Sequence, residues 1–316
     1  MNAINGFGGI FMSHNGKKLY EKYLGNTKHT QFRIFSLSKP IVALAIIILV
    51  KNNLLKLNDT IDKFGINIPY SERITILFLL NHRSGIYDFV SELYFKHIPQ
   101  KIYDKILSKY KTKLLQFDMY INEINKNKPC STPNKKFKYN NTGYDILGYI
   151  IYIVTGIHTD TWIRKNIFRK LNMNESNFQF DNIKLESVPY KTNGKRGVKE
   201  NYNWFGGNAF IISTLRDYDK FMSGYDKLLT MDTLNLYEKL YFFTKTKFGL
   251  TFTGHGARDF EINHHKYNEL SLSFAIRYCN IGVNIILHQN KEAKYSILSP
   301  MMRNKIIPLL MNEYIK

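Results

Sequence analysis

At 316 residues the chain can bury a large core, as one composite domain or two closely packed parts, and its 44% hydrophobic and 15% aromatic content reads as a soluble globular protein rather than a disordered or membrane one. Forty-five Lys and Arg against 25 Asp and Glu give a net charge of +20, a positive field that leaves room for an anionic partner. The basic residues are nevertheless scattered apart from Lys126, Lys128, Lys135, Lys136 and Lys138, and no nucleic-acid motif accompanies them, so no nucleic acid is expected as a partner.

The abundance of Lys, Asn, Ile and Tyr fits compositional drift in an AT-rich genome. Cys130 and Cys279 are far apart and show no metal-ligand spacing, which fits a reducing compartment rather than a disulfide framework. Residues 1–9 lack a basic stretch followed by an apolar one, and the ten-residue run 41–50 is well short of the roughly 20 residues a membrane span needs. The expectation is a cytoplasmic protein without a membrane span.

In chain order, residues 8–13 and 18–24 read as two short strands around His14-Asn15-Gly16, since an Asn-Gly pair signals a hairpin turn. The apolar run 41–50 reads as a buried helix starting near Ser36. From Asn58 to about 244 the pattern is mainly helical segments between polar loops; residues 125–136 form a surface loop directly before a helix over 143–154. Beyond 245 the pattern returns to strands, over 248–253, 270–278 and 282–288, and an amphipathic helix over 297–315 closes the chain. The fold class is therefore α+β. One antiparallel sheet is built from both chain ends, about 1–57 and 245–316, and flanked by helices; a mainly helical insertion, about 58–244, lies beside it, with a cleft between the two.

Ser36-Leu37-Ser38-Lys39 places a hydroxyl and an amine three residues apart, where they are neighbours on one helical face. The positive end of a helix also favours the anion formed when a serine attacks a carbonyl. Lys39 can take the Ser36 proton only as a neutral amine, and moving a lysine from about 10.4 to near 7 requires about 4 kcal/mol of destabilisation of its cation. Tyr139, in Tyr139-Asn140-Asn141 at a helix start, can share that proton as a coupled partner, and which of the two is the formal base stays open.

Asn141 can orient a substrate carbonyl. His255, in His255-Gly256-Ala257 after a late strand, can donate to a substrate carboxylate or polarise the Tyr139 pair. The backbone N–H groups of Ser36 and Arg258 are the candidates for holding an oxyanion. The adjacent pair His264-His265 lacks a third ligand, so neither a metal nor a cofactor is expected.

Ser-x-x-Lys, then Tyr-x-Asn, then a His-Gly turn on a late strand resembles the serine β-lactamase-like family, which includes class C β-lactamases, penicillin-binding DD-peptidases and related esterases. The similarity runs along the chain through Phe32-Arg33-Ile34-Phe35-Ser36, Leu57-Asn58-Asp59, Ile74-Thr75-Ile76 with Leu79-Leu80-Asn81-His82-Arg83-Ser84-Gly85, Phe137-Lys138-Tyr139-Asn140-Asn141-Thr142-Gly143-Tyr144, Ile167-Phe168 with Leu171-Asn172-Met173, and Ser213-Thr214-Leu215-Arg216-Asp217.

The resemblance implies Ser36 as the acylated nucleophile, Lys39 and Tyr139 as the proton-transfer pair, and Asn141 with 255–258 as substrate contacts. His82 to Gly85 is expected to be a structural loop under the site. Relatives usually carry Gly where this chain has Ala257, whose methyl narrows or reshapes the acyl site. The implied function is a serine hydrolase acting on an ester or amide, with a small molecule or peptide as substrate. A true β-lactamase or DD-carboxypeptidase is the enzymatic alternative, and a non-catalytic ligand-binding relative is the alternative of another class.

Overall fold

Asn15 and Gly16 take positive φ angles of 49° and 74°, the backbone twist that an Asn-Gly hairpin turn supplies. They join β1 (Gly8–His14) to β2 (Lys17–Leu24), as the sequence predicts. The computed structural model describes residues 8–89, 91, 113–178, 186–187, 190–191, 211–246, 249–258, 261–262, 265–266 and 269–289. The helix expected over 297–315 lies outside these residues.

The remaining strands are β3 (Gln31–Arg33), β4 (Asn177–Phe178), β5 (Glu186–Ser187), β6 (Tyr190–Lys191), β7 (Ile211–Ser213), β8 (Phe243–Thr246), β9 (Gly249–Arg258), β10 (Glu261–Ile262), β11 (His265–Lys266), β12 (Glu269–Tyr278) and β13 (Val283–Gln289). The helices are α1 (Ser38–Lys51), α2 (Ile76–Leu80), α3 (Lys113–Asn125), α4 (Asn141–Thr155), α5 (Thr159–Ile163), α6 (Leu215–Met222) and α7 (Met231–Tyr237).

The main sheet runs β2-β1-β13-β12-β9-β8 with antiparallel pairing throughout, and β6 adds to β12. Both chain ends therefore share one sheet, joined where Phe11 faces Ile286 and Met12 faces Ile285. The middle of the chain departs from the helical expectation in one respect: β4, β7, β3 and β5 form a second, small sheet. Strands of two or three residues leave no readable period, and the pairing of Phe32 with Ser213 depends on contacts 181 residues apart in sequence.

Helix α1 is buried from Ser38 to Leu49, and a helix apolar on all sides has to lie inside the protein. It packs against α7 and α4, and each buried Ile or Leu contributes about 1.5 to 3 kcal/mol. Asn140 caps α4 by accepting from the Gly143 N–H, and Gly156, at φ 68°, ends it in the left-handed conformation that glycine adopts without strain. No single helix among the described residues is long and apolar enough to cross a membrane; α4 and the helical stretch Thr159–Phe168 pass that test only together, bent by 78°.

Helix α6 packs on β1 and β13. At its base Arg216 grips Glu21 of β2 through Nε and a terminal nitrogen, at 2.6 and 2.5 Å, and the Tyr23 hydroxyl donates to the same carboxylate at 2.8 Å. The Arg216 hydrogen bonds hold the Glu21 carboxyl down at about 2. A depressed carboxyl adds stability above its unfolded value and loses it as pH falls through the folded one. The melting-temperature advantage of wild type over Arg216→Met is therefore expected to shrink as pH drops from about 4.3 to about 2. A constant difference across that window would show that the pair carries no acid-labile stability.

Candidate active site

The nucleophile candidate sits on a turn locked from several sides. Phe35, with φ 44°, turns the chain sharply after β3, a conformation costing about 1 to 3 kcal/mol for a non-glycine residue. Ser36 follows in the 3-10 turn Phe35–Leu37, and α1 begins only at Ser38, two residues later than the sequence suggests. The Tyr218 hydroxyl donates to the Leu37 carbonyl at 3.1 Å, Tyr237 to the Pro40 carbonyl at 2.9 Å, and the Ile211 N–H to Ser38 Oγ at 3.3 Å. Pro40 falls in the first helical turn, where its missing N–H costs nothing.

Lys39 is 0% exposed, yet its Nζ lies 3.0 Å from Ser36 Oγ and 2.8 Å from Asn141 Oδ1. The same nitrogen stands 5.0 Å from the centre of the Tyr139 ring and 5.6 Å from that of Tyr144. Ser36, Lys39, Tyr139 and Asn141 therefore come together, although about 100 residues of sequence separate the two pairs.

Asn141 is held by groups the sequence did not mark. Its Nδ2 donates to Ser91 Oγ at 3.0 Å, and Ser91 donates to Asp88 at 2.5 Å. Buried Asp88 also accepts from the N–H groups of Asn141 and Thr142, both at 3.1 Å, and from the Thr142 hydroxyl at 2.9 Å. One carboxylate thus satisfies the first N–H groups of α4 and fixes the Asn141 amide with its oxygen toward Lys39. The sequence reading gives Asn141 to a substrate carbonyl; in this structure both ends of its amide are already engaged.

His82, read from sequence as part of a structural loop, reaches the site itself. It is 1% exposed, accepts the Asn140 N–H on Nδ1 at 3.1 Å, and packs against Tyr139, Tyr241 and Tyr144 with ring centres 4.2, 4.4 and 5.2 Å away. Nδ1 accepting a bond assigns the ring proton to Nε2, which has no hydrogen-bond partner among the described residues. Burial first, and the nearby Lys39 amine second, hold the imidazole well below its usual titration range.

The unfolded chain takes up a proton here that the folded one refuses, so stability falls as pH drops below about 6.5. His82→Asn, which retains an acceptor for the Asn140 N–H, is expected to flatten that part of the stability curve. An unchanged slope would remove His82 as its origin.

His255, Gly256, Ala257 and Arg258 end β9, opposite Phe274, Ser273, Leu272 and Ser271 of β12. This strand runs beside the Phe35–Leu37 turn. Since β8 pairs only with residues 249–252, the rest of that β9 edge carries no described strand where it passes Ser36. Among the described residues no three His, Cys, Asp or Glu side chains are grouped to hold a metal ion.

A family model described as Beta-lactamase matches residues 8–272. The chain belongs to the β-lactamase family. That family includes serine hydrolases, and the shared order of Ser36, Lys39, Tyr139 and Asn141 now has a structural setting. Penicillin-binding protein 4* of Bacillus subtilis (strain 168) is 29% identical over 199 residues, 59% of this chain and 41% of that protein. Protein flp of Staphylococcus aureus (strain NCTC 8325 / PS 47) is 26% identical over 227 residues, 67% of this chain and 42% of the relative. The chain thus spans about two fifths of the length of these curated relatives.

Among solved structures, the octameric penicillin-binding protein homologue from Pyrococcus abyssi superposes with a TM-score of 0.76 at 20% identity, covering 97% of this chain and 74% of that one. D-amino acid amidase from Ochrobactrum anthropi SV3 gives 0.74 at 22% identity, with 98% and 94% coverage. At such identities the likeness speaks for the fold.

Proposed function

We propose that this β-lactamase family member is a serine hydrolase that cleaves an ester or amide through an acyl-enzyme on Ser36. The observation that carries the reading is the 3.0 Å approach of Lys39 Nζ to Ser36 Oγ, with Lys39 0% exposed.

In this scheme the Ser36 hydroxyl gives its proton to the Lys39 and Tyr139 pair as Oγ attacks the carbonyl carbon. The backbone N–H groups of Ser36 and Arg258 receive the oxyanion, and the pair returns the proton to the departing alcohol or amine. A water then repeats the sequence on the acyl-enzyme. Tyr139 is 39% exposed, so its phenol meets solvent at the site mouth, where a leaving group exits and water enters. Asn141 holds the amine from the opposite side and exchanges that contact for the substrate as it binds.

Proteins of the same fold, D-amino acid amidase from Ochrobactrum anthropi SV3 and D-stereospecific amidohydrolase from Streptomyces sp., support the amide side of the proposal. Intact-mass measurement after mixing with penicillins, cephalosporins, short-chain esters and D-amino acid amides tests it. The expected result is a mass gain equal to the acyl group that decays with time for the true substrate class. No adduct and no product from any of them would favour a protein that only binds ligands in its cleft.

A further inference from the structure

The lysine cluster that stands out in the sequence is left unused by the chemistry above, and its segment leads directly into Tyr139. Residues 126–138 contain Lys126, Lys128, Lys135, Lys136 and Lys138, and no Asp or Glu occurs between Glu123 and Asp145. All five lysines are exposed. Of the two bounding acids, Glu123 is already paired with Lys126, and Asp145 is buried and bonded to Tyr120. Lys128, Lys135 and Lys136 make no ion pair among the described residues, so their charges face solvent uncompensated.

This segment is not a loose loop. The N–H groups of Cys130 and Ser131 donate to the Gly85 carbonyl at 2.8 and 3.2 Å, Asn134 to that of Arg83 at 2.8 Å, and Lys138 to that of His82 at 2.9 Å. Arg83 returns two bonds to Asn134, at 2.7 and 3.0 Å. Gly85, at φ 73°, allows the close approach, because a Cβ there would collide with the Ser131 carbonyl oxygen. The far end of the segment is Tyr139 itself. Lys135 and Lys136 are four and three residues from it, so their backbones lie within about 14 and 11 Å of the catalytic phenol's. Both spans are under two Debye lengths at physiological ionic strength, where one is about 8 Å.

We propose that this segment forms a rim that selects substrates whose non-reacting part carries carboxylate or phosphate groups. The inference rests on the hydrolase reading and deepens it. Fixed cations beside a cleft raise the local concentration of anions and their rate of productive encounter, and they do so in a salt-dependent way. The shared chemistry is an oxyanion on the ester or amide substrate, whether carboxylate or phosphonate-like.

The test compares the 4-nitrophenyl esters of benzoic, 4-carboxybenzoic and 4-phosphonobenzoic acids on wild type and on the triple variant Lys128→Glu, Lys135→Glu, Lys136→Glu. Wild type is expected to show a higher kcat/KM for the two anionic esters, reduced about tenfold by raising NaCl from about 20 to about 500 mM and by the triple variant, with the neutral ester changed less than about twofold. Equal kcat/KM for charged and neutral esters at low salt, or an unchanged preference in the variant, would overturn the rim. Preference for one anionic ester over the other identifies which headgroup the rim takes.

If no ester turns over, the hydrolase reading fails by itself, and calorimetric binding of the same esters to Ser36→Ala decides about the rim. Tighter, salt-sensitive binding of the anionic esters, lost on adding the three Glu substitutions, supports it. Equal binding of all three overturns it.

Discussion

Lys39→Met is expected to slow acylation of Ser36 about a thousandfold, the middle of the range for loss of a positioned general base. The substitution replaces a fully buried amine by an apolar chain of similar length, so the packing of α1 between α4 and α7 survives while the amine 3.0 Å from Oγ disappears. Asn141 Oδ1 loses its partner as well, which costs about 1 to 3 kcal/mol if the oxygen stays dry. Labelling with a fluorophosphonate or fluorescent β-lactam, followed over time and read by mass, measures the effect. Ser36→Ala is the reference and is expected to take up no label. Wild-type labelling rates in Lys39→Met would show that the amine is not the base.

The second large effect is expected at Asp88. Asp88→Ala strips the first N–H groups of α4 of their acceptor and leaves the Ser91 hydroxyl without its own, all in a buried setting. Loss of about 3 kcal/mol or more of stability follows from charged hydrogen bonds and an N-terminal cap lost together. Asp88→Asn separates stability from chemistry. It retains an oxygen for the Thr142 N–H but sets an amide NH2 against the Ser91 hydroxyl and the Asn141 N–H. About half of the stability is expected to return, while turnover stays about 10²-fold down because the Asn141 amide is displaced from Lys39. Urea midpoints and kcat on the same preparations provide both readings. Full activity in Asp88→Asn would make the carboxylate a helix cap only.

The aromatic layer around His82 shows why part of the site was hidden. His82, Tyr139, Tyr144 and Tyr241 come from a loop, a helix entry, a helix and the turn before β8, and their rings meet only after α2 and α4 have packed. Nothing in the local pattern of any one segment announces the others. Asp88 and Ser91 are similar cases, because an Asp and a Ser three residues apart are common, and their meaning comes from Asn141, 50 residues on. The 3-10 turn at Ser36 was also illegible: sequence places an apolar run but not its first hydrogen bond, which Tyr218, Tyr237 and Ile211 decide from a distance.

What the sequence determined alone is the part governed by short-range rules. Asn15-Gly16 specifies a tight hairpin, residues 41–50 specify a helix with no polar face, and the three-residue spacing of Ser36 and Lys39 puts hydroxyl and amine on one side of a turn. The recurring motifs along the chain announced the family. Tertiary structure decided the rest: which residues surround the amine, how the Asn141 amide is turned, that β3 and β7 form a second small sheet, and that the segment 130–138 is tied by backbone bonds to residues 82–85. Those outcomes depend on pairings dozens to hundreds of residues apart, where the cost of desolvating each polar group is settled only by the partner that the folded chain brings to it.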